Sequence, residues 1–243
     1  LERCHNAEVT MQAIILDQIP FTIALERLMA RLHIRPGSAS ERELLALVDE
    51  ALAIGRPRAL FGMASVERHG EDQVVVDGVT FTSRLVAVNL RERYRVFPYL
   101  ATCGAELGAW AHGLSDIVHQ FWAEEIKIAA LANATQALQK ALQQRFQPGK
   151  TATMNPGSLP DWPLREQGPM FALLGQAQQV GVTLNESFLM TPNKSVTGLR
   201  FSRASDYENC QLCPRPDCPG RRAPYDPTLW QRQYADSGTE QAV

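Results

Sequence analysis

Apolar residues recur at helical spacing in the first part of the chain. Phe21, Ala24, Leu25, Leu28 and Leu32 share one helix face that ends near His33, and Pro36-Gly37-Ser38 breaks the pattern. Leu44, Leu47, Val48 and Ala51 predict a second helix over about 40–54. Ser40 followed by Glu43 is a capping-box pattern, and Gly55 stands where a C-terminal glycine cap belongs. The period then shortens. Residues 59–66 and 73–88 are rich in Val, Phe and Thr and read as strands, with Asp77-Gly78 between two apolar runs marking a hairpin. Residues 96–101 read as a further strand ending at Thr102-Cys103-Gly104.

A helix is expected after Cys103 and a longer one over about 120–146. Trp122, Ile126, Ala130, Ala134, Leu138, Leu142 and Phe146 trace the stripe of the longer one, and Pro148-Gly149 stops it. Residues 151–154 look extended and 155–158 look like a loop. Pro163 suits the first turn of a third long helix with Leu164, Phe171, Leu174 and Ala177 inside, which Gly168-Pro169 should kink or delay and Gly181 should end. Residues 184–190 and 196–201 read as strands around Pro192-Asn193, and 202–224 as a Cys/Pro/Arg loop before a polar tail. Helices and hairpin strands mix without regular alternation, so the fold class is α+β. The chain divides into an N-terminal helical segment (1–57), an α+β core (58–202) and a Cys-rich loop with its tail (203–243).

Composition narrows the function. The 243 residues carry a net charge of −2, which argues against a general nucleic-acid binder. No apolar run approaches the roughly 18–20 residues that span a bilayer, and the polar residues after Leu1 lack a leader's apolar stretch, so the cytoplasm is the expected compartment. A Gly-rich phosphate loop, His-Glu-x-x-His and Gly-x-Ser-x-Gly are all missing, which removes support for the common nucleotidase, zincin and hydrolase readings.

Candidate chemistry concentrates late in the chain. Cys210-x-x-Cys213-x4-Cys218 runs into Pro219-Gly220-Arg221-Arg222, a bent loop on which thiolates can converge on an iron–sulfur cluster or zinc. Three ligands are one short of a closed site. Cys103, at the end of a predicted strand, is the first candidate for the fourth, and Cys4 and His5 are second choices. Asn155-Pro156-Gly157-Ser158 joins a strand to a helix whose N-terminal amides can bind an anion. Glu186-Ser187 lies in an apolar strand pattern, where the carboxylate either faces solvent or holds a polar ligand.

Two segments together resemble a known family. Met154-Asn155-Pro156-Gly157-Ser158-Leu159-Pro160-Asp161-Trp162-Pro163-Leu164-Arg165-Glu166-Gln167 resembles the Pro-Gly-Tyr loop and following helix of the activation (reactivation) domain of cobalamin-dependent methionine synthase. Leu184-Asn185-Glu186-Ser187-Phe188-Leu189-Met190 with Ser195-Val196-Thr197-Gly198 resembles that domain's Leu-Thr-Glu-Ser-x-x-Met and Ser-Val-Ser-Gly stretch. Residues 78–84 and 101–107 are similar to free-standing bacterial relatives, which also tend to end in a Cys-rich tail. The likeness covers roughly 58–225.

The resemblance implies a twisted antiparallel sheet flanked by helices. It further implies S-adenosylmethionine as cosubstrate and a corrinoid protein or cobalamin-dependent methyltransferase as partner, which would itself carry the cobalamin. Asn155, Pro156, Gly157, Ser158, Glu186 and Ser187 are the implied cosubstrate residues. The family's Arg three residues before the Pro is Thr153 here, and its Tyr after the Gly is Ser158. Thr cannot reproduce a guanidinium fork. Either another group, such as Arg200 or Lys194, supplies the anchor, or the cosubstrate is not bound in the family manner. The competing expectations are a non-catalytic metal- or iron–sulfur-binding protein that docks on a corrinoid protein, and a small-molecule sensor on the same fold.

Overall fold

The computed structural model describes residues 11–203, 207–218 and 220–235. The chain opens with β1 (Ile14–Leu16), α1 (Leu25–Leu32) and α2 (Ala39–Ile54). The α2 cap is Ser38, whose hydroxyl accepts from Glu41 N, so capping begins two residues before the expected Ser40. Gly55 ends α2 with extended rather than left-handed backbone (φ −61°, ψ 131°). Its reason is space: a Cβ there would come within 2.5 Å of the Phe21 ring.

Next come β2 (Arg58–Phe61), β3 (Ala64–His69), β4 (Gln73–Val76) and β5 (Val79–Thr82), followed by α3 (Arg84–Leu90). Asp77 and Gly78 both take positive φ in the β4–β5 turn, as the hairpin signal requires. The expected strand to residue 88 stops at Thr82. Ser83 accepts from Val86 N and starts a helix, so local capping overrides the β-branched composition. Then β6 (Arg95–Thr102), α4 (Ala105–Gly113) and the 30-residue α5 (Ile117–Phe146) follow. The predicted stripe from Trp122 to Leu142 is the buried face of α5.

β7 (Thr151–Met154) leads through a loop and a short 3-10 turn into α6 (Gln167–Leu174), which is shorter than expected because Gly168-Pro169 falls in its first turn. β8 (Thr183–Leu184) and β9 (Met190–Thr191) form a small hairpin, β10 (Ser195–Ser202) returns to the sheet, and α7 (Leu229–Gln233) lies in the tail. Residues 185–189 form a turn rather than the expected strand. The Asn185 side-chain carbonyl accepts from Ser187 N and Leu189 N and bends the chain there.

Among the described residues, eight strands form one antiparallel sheet. β6 is central, with β2 and β3 along one edge and β10 along the other, and β7 pairs with the far side of β10. Alternation sends Leu60, Leu100, Leu199 and Met154 to one face against α3 and α6, and Phe61, Phe97 and Tyr99 to the other against α5. Residues 11–57 are part of this packing. β1 pairs with β2, and α2 shares a cluster with α4 and α5 around Leu44, Leu107 and Trp122.

Candidate functional site

A cavity of about 550 Å³ opens between the second half of α5 and the β7–β10 edge of the sheet. That volume lies within the range of small-molecule sites. The helix contributes Thr135, Gln139 and Gln143, the strands contribute Thr151, Thr153 and Arg200, and the tail closes the far wall with Tyr207, Glu208 and Arg222. Thr153 and Arg200 are register partners on adjacent strands, and alternation turns both toward α5.

Arg200 is the unusual group. The residue is 8% exposed, its Nη1 donates to Thr151 Oγ1 at 3.2 Å, and its buried Nε has no hydrogen-bond partner among the described residues. The guanidinium lies 5.7 Å from the centre of the Tyr99 ring. Burial holds its pKa below the usual arginine range; Arg222 adds to this, and Tyr99 and Glu208 oppose it. Glu208 is already paired with Arg222 at 3.1 Å. Lys194, the other candidate cation, is paired with Glu124 at 3.0 Å and does not line this cavity.

The 155–158 loop follows directly from β7. Ser158 N donates to Asn155 O at 3.1 Å, with Pro156 and Gly157 at the two central positions and Gly157 at φ +82°, the geometry of a type II turn. The Asn155 amide donates to Tyr99 Oη at 2.6 Å and to Thr197 O at 2.7 Å. One aromatic ring thus touches both the loop and Arg200. Downstream, Asp161 accepts from Ser83 Oγ at 2.5 Å and Leu85 N at 2.8 Å, while Glu166 accepts from Thr82 N at 3.0 Å. These bonds fix the loop to the β5–α3 corner. Asp161→Ala is expected to cost about 1–2 kcal/mol, as loss of a helix-end carboxylate does, read as a lower urea midpoint with unchanged slope.

Glu186 and Ser187 are placed differently. Both are exposed in the β8–β9 turn, and neither they nor residues 155–158 line the cavity. A larger groove of about 1,070 Å³ runs between α4, the start of α5 and β9. Its buried Lys127 is satisfied by Glu124 at 2.5 Å and Asn193 at 2.9 Å, and the groove is lined by Met190 of the family-like stretch but by neither Arg200 nor Thr153. The cavity at Arg200 is therefore the better candidate.

The metal expectation gains no support from the structure. Among the described residues no three His, Cys, Asp or Glu side chains are gathered as an ion requires. Cys103 is wholly buried in the α2–α4–α5 cluster, whereas Cys213 packs at the margin of the core on the opposite sheet face. The Cys210–Cys213–Cys218 loop is tied by Arg221, whose guanidinium donates to the carbonyls of Cys210 (3.2 Å), Cys213 (3.3 Å), Ala223 (3.3 Å) and Arg215. Cys4 and His5 lie outside the described residues.

An antiparallel sheet with helices on both faces and a cavity at its β7–β10 edge defines the class: an α+β domain. The chain resembles the activation domain of vitamin B12-dependent methionine synthase. The model of that family, "Vitamin B12 dependent methionine synthase, activation domain", matches residues 110–215. A crystal structure of the MetH reactivation domain bound to AdoHcy shares the fold, with a TM-score of 0.60 at 14% sequence identity over 83% of this chain and 82% of that chain. No curated protein matches the chain. Among the described residues, no helix is long and apolar enough to cross a membrane.

Proposed function

We propose that this chain binds S-adenosylmethionine, or its demethylated product S-adenosylhomocysteine, in the cavity between α5 and the β7–β10 edge. In this reading it serves the reductive remethylation of the corrinoid carried by a cobalamin-dependent methyltransferase. One observation carries the reading. The family match covers every element that walls the cavity except Arg222, and it includes the 155–158 loop. The sulfonium methyl of the bound cosubstrate is the electrophile that a corrinoid, reduced by a one-electron donor protein, would take up.

The chain's own residues supply the binding and orientation. Thr151 and Thr153 offer hydroxyls from β7, and Gln139 and Gln143 offer amides from α5. Asn155 holds Tyr99, and Tyr99 backs the Arg200 guanidinium. Glu186 and Ser187, exposed on the β8–β9 turn, are assigned to the surface that meets the partner rather than to the cavity.

Titration calorimetry with S-adenosylhomocysteine tests the binding half and should give saturable heat at one ligand per chain. At a hundred times its Kd the ligand adds about 2.7 kcal/mol of stability, a rise in Tm of about 5–10 °C for a domain of this size. No heat and no Tm shift would remove the cosubstrate from the reading. A complex with a corrinoid methyltransferase that still formed would then assign the chain a docking role without methyl-donor binding.

A further inference from the structure

We propose that Arg200 is the residue that receives the ligand's carboxylate in this cavity, which rests on the reading above that an S-adenosyl ligand occupies it. The argument is one of unmet hydrogen bonding. A guanidinium presents five N–H donors in a rigid fork, and a buried one without an anion loses hydration it does not recover. Among the described residues, Arg200 makes one long hydrogen bond to a threonine hydroxyl, leaves its Nε unpartnered and has no carboxylate bound to it. Yet it is held in place from two sides, by the β10 ladder and by the face of Tyr99. A site fixed before its ligand arrives, with donors left over and a cavity in front, fits a planar oxyanion taken in a charge-assisted fork. Glu208, across the cavity, is the carboxylate among the described lining residues, and it is engaged by Arg222 and by the Gln211 backbone amide rather than by Arg200.

The register supplies the test. Thr153 stands directly opposite Arg200 and lines the same cavity, so the guanidinium can be moved one strand across without changing composition. Affinities for S-adenosylhomocysteine and for 5′-methylthioadenosine, which lacks the amino acid end, are measured on the wild type, on Arg200→Gln and on the double variant Arg200→Thr with Thr153→Arg. Arg200→Gln should weaken S-adenosylhomocysteine about 10–100-fold, as loss of a charge-assisted pair does, and change methylthioadenosine less than about 3-fold. The double variant should recover at least about a third of the lost logarithm of affinity. A wild type that binds S-adenosylhomocysteine but not methylthioadenosine also supports the assignment, because the amino acid end then carries the binding. Unchanged S-adenosylhomocysteine affinity in Arg200→Gln overturns the assignment and leaves the proposed function standing. Equal losses for both ligands with a lowered Tm, not recovered in the double variant, assign Arg200 a structural role instead. A wild type that binds neither ligand overturns the proposed function and this inference with it.

Discussion

The Gly198→Ala variant is expected to lose at least about 3 kcal/mol of stability and to bind no S-adenosyl ligand. Gly198 lies within β10, opposite Tyr99 of β6 and beside β7. A Cβ there would come within 2.3 Å of the Met154 carbonyl oxygen, 2.5 Å of the Asn155 amide and 3.0 Å of Tyr99 Oη. The first is backbone of a paired strand and cannot rotate away. The other two are the hydrogen-bonded pair that ties the 155–158 loop to the cavity floor. One methyl group therefore pushes β7 off β10 and parts Asn155 from Tyr99. For a domain of this length the fall in Tm should be roughly 6–12 °C. Gly168→Ala is the internal control. It lies in α6, where an added Cβ would meet only the Phe188 ring at an ordinary 3.5 Å, and alanine is the better helix former there. Its Tm should hold or rise slightly. A Gly198→Ala protein that melts with the wild type would show that β7 and β10 do not pack this closely, and the geometry around Arg200 would fall with them.

The elements written in local periodicity were legible. The α5 stripe, the Asp77-Gly78 turn and the strand before Cys103 each rest on a few neighbouring residues whose pattern has one physical solution. Residues 84–90 misled because their composition favours strand. The Ser83 hydroxyl and the Asp161 carboxylate decide for helix, and Asp161 arrives from 78 residues away in sequence. The run 184–190 misled for the reverse reason: its apolar residues suit a strand, but the Asn185 side chain satisfies two backbone amides and turns the chain.

None of the six residues that the family likeness marked lines the cavity, and the 155–158 loop reaches it only through the bond from Asn155 to Tyr99. The 155–158 loop could be named from its own Pro and Gly. The choice between Arg200 and Lys194 could not be made, because it depends on which of two basic residues in one segment falls opposite Thr153, and strand register is a tertiary property. The Cys103 expectation is left without support on the same kind of ground. The end of β6 was read correctly, but which face the thiol enters is set by packing of α2, α4 and α5.

Alkali should unfold this chain well before it dissolves its ion pairs. Cys103 is wholly buried, and burial pushes its thiol up to about 11, with Lys127 opposing. Burial likewise raises the phenols of Tyr207, Tyr234 and Tyr99 above the ordinary value of 10.0. All four groups act with one sign. Each holds its proton more tightly in the folded state, so between its unfolded and folded values the native state binds more protons and stability falls as pH rises. The contribution is intact below about pH 9, where both states are protonated. It is lost first through Cys103, between pH 9 and 11, by about 2–3 kcal/mol, and then through the tyrosines above pH 10. Urea midpoints at pH 7.5, 9, 10 and 11 should therefore be level over the first step and fall over the last two. Cys103→Ala should flatten the part of the decline that lies below pH 10, at the cost of a constant packing loss visible at pH 7.5. Tyr234 joins the tail to Asn89 of α3, and Tyr207 bonds Asn209 within the tail, so their ionisation also loosens the far wall of the cavity. Affinity for S-adenosylhomocysteine should drop in the same pH interval in which the tyrosine absorbance of the folded protein rises. Midpoints that stay level through pH 10.5 would mean that water reaches this thiol and these hydroxyls, and that the tail does not close the cavity.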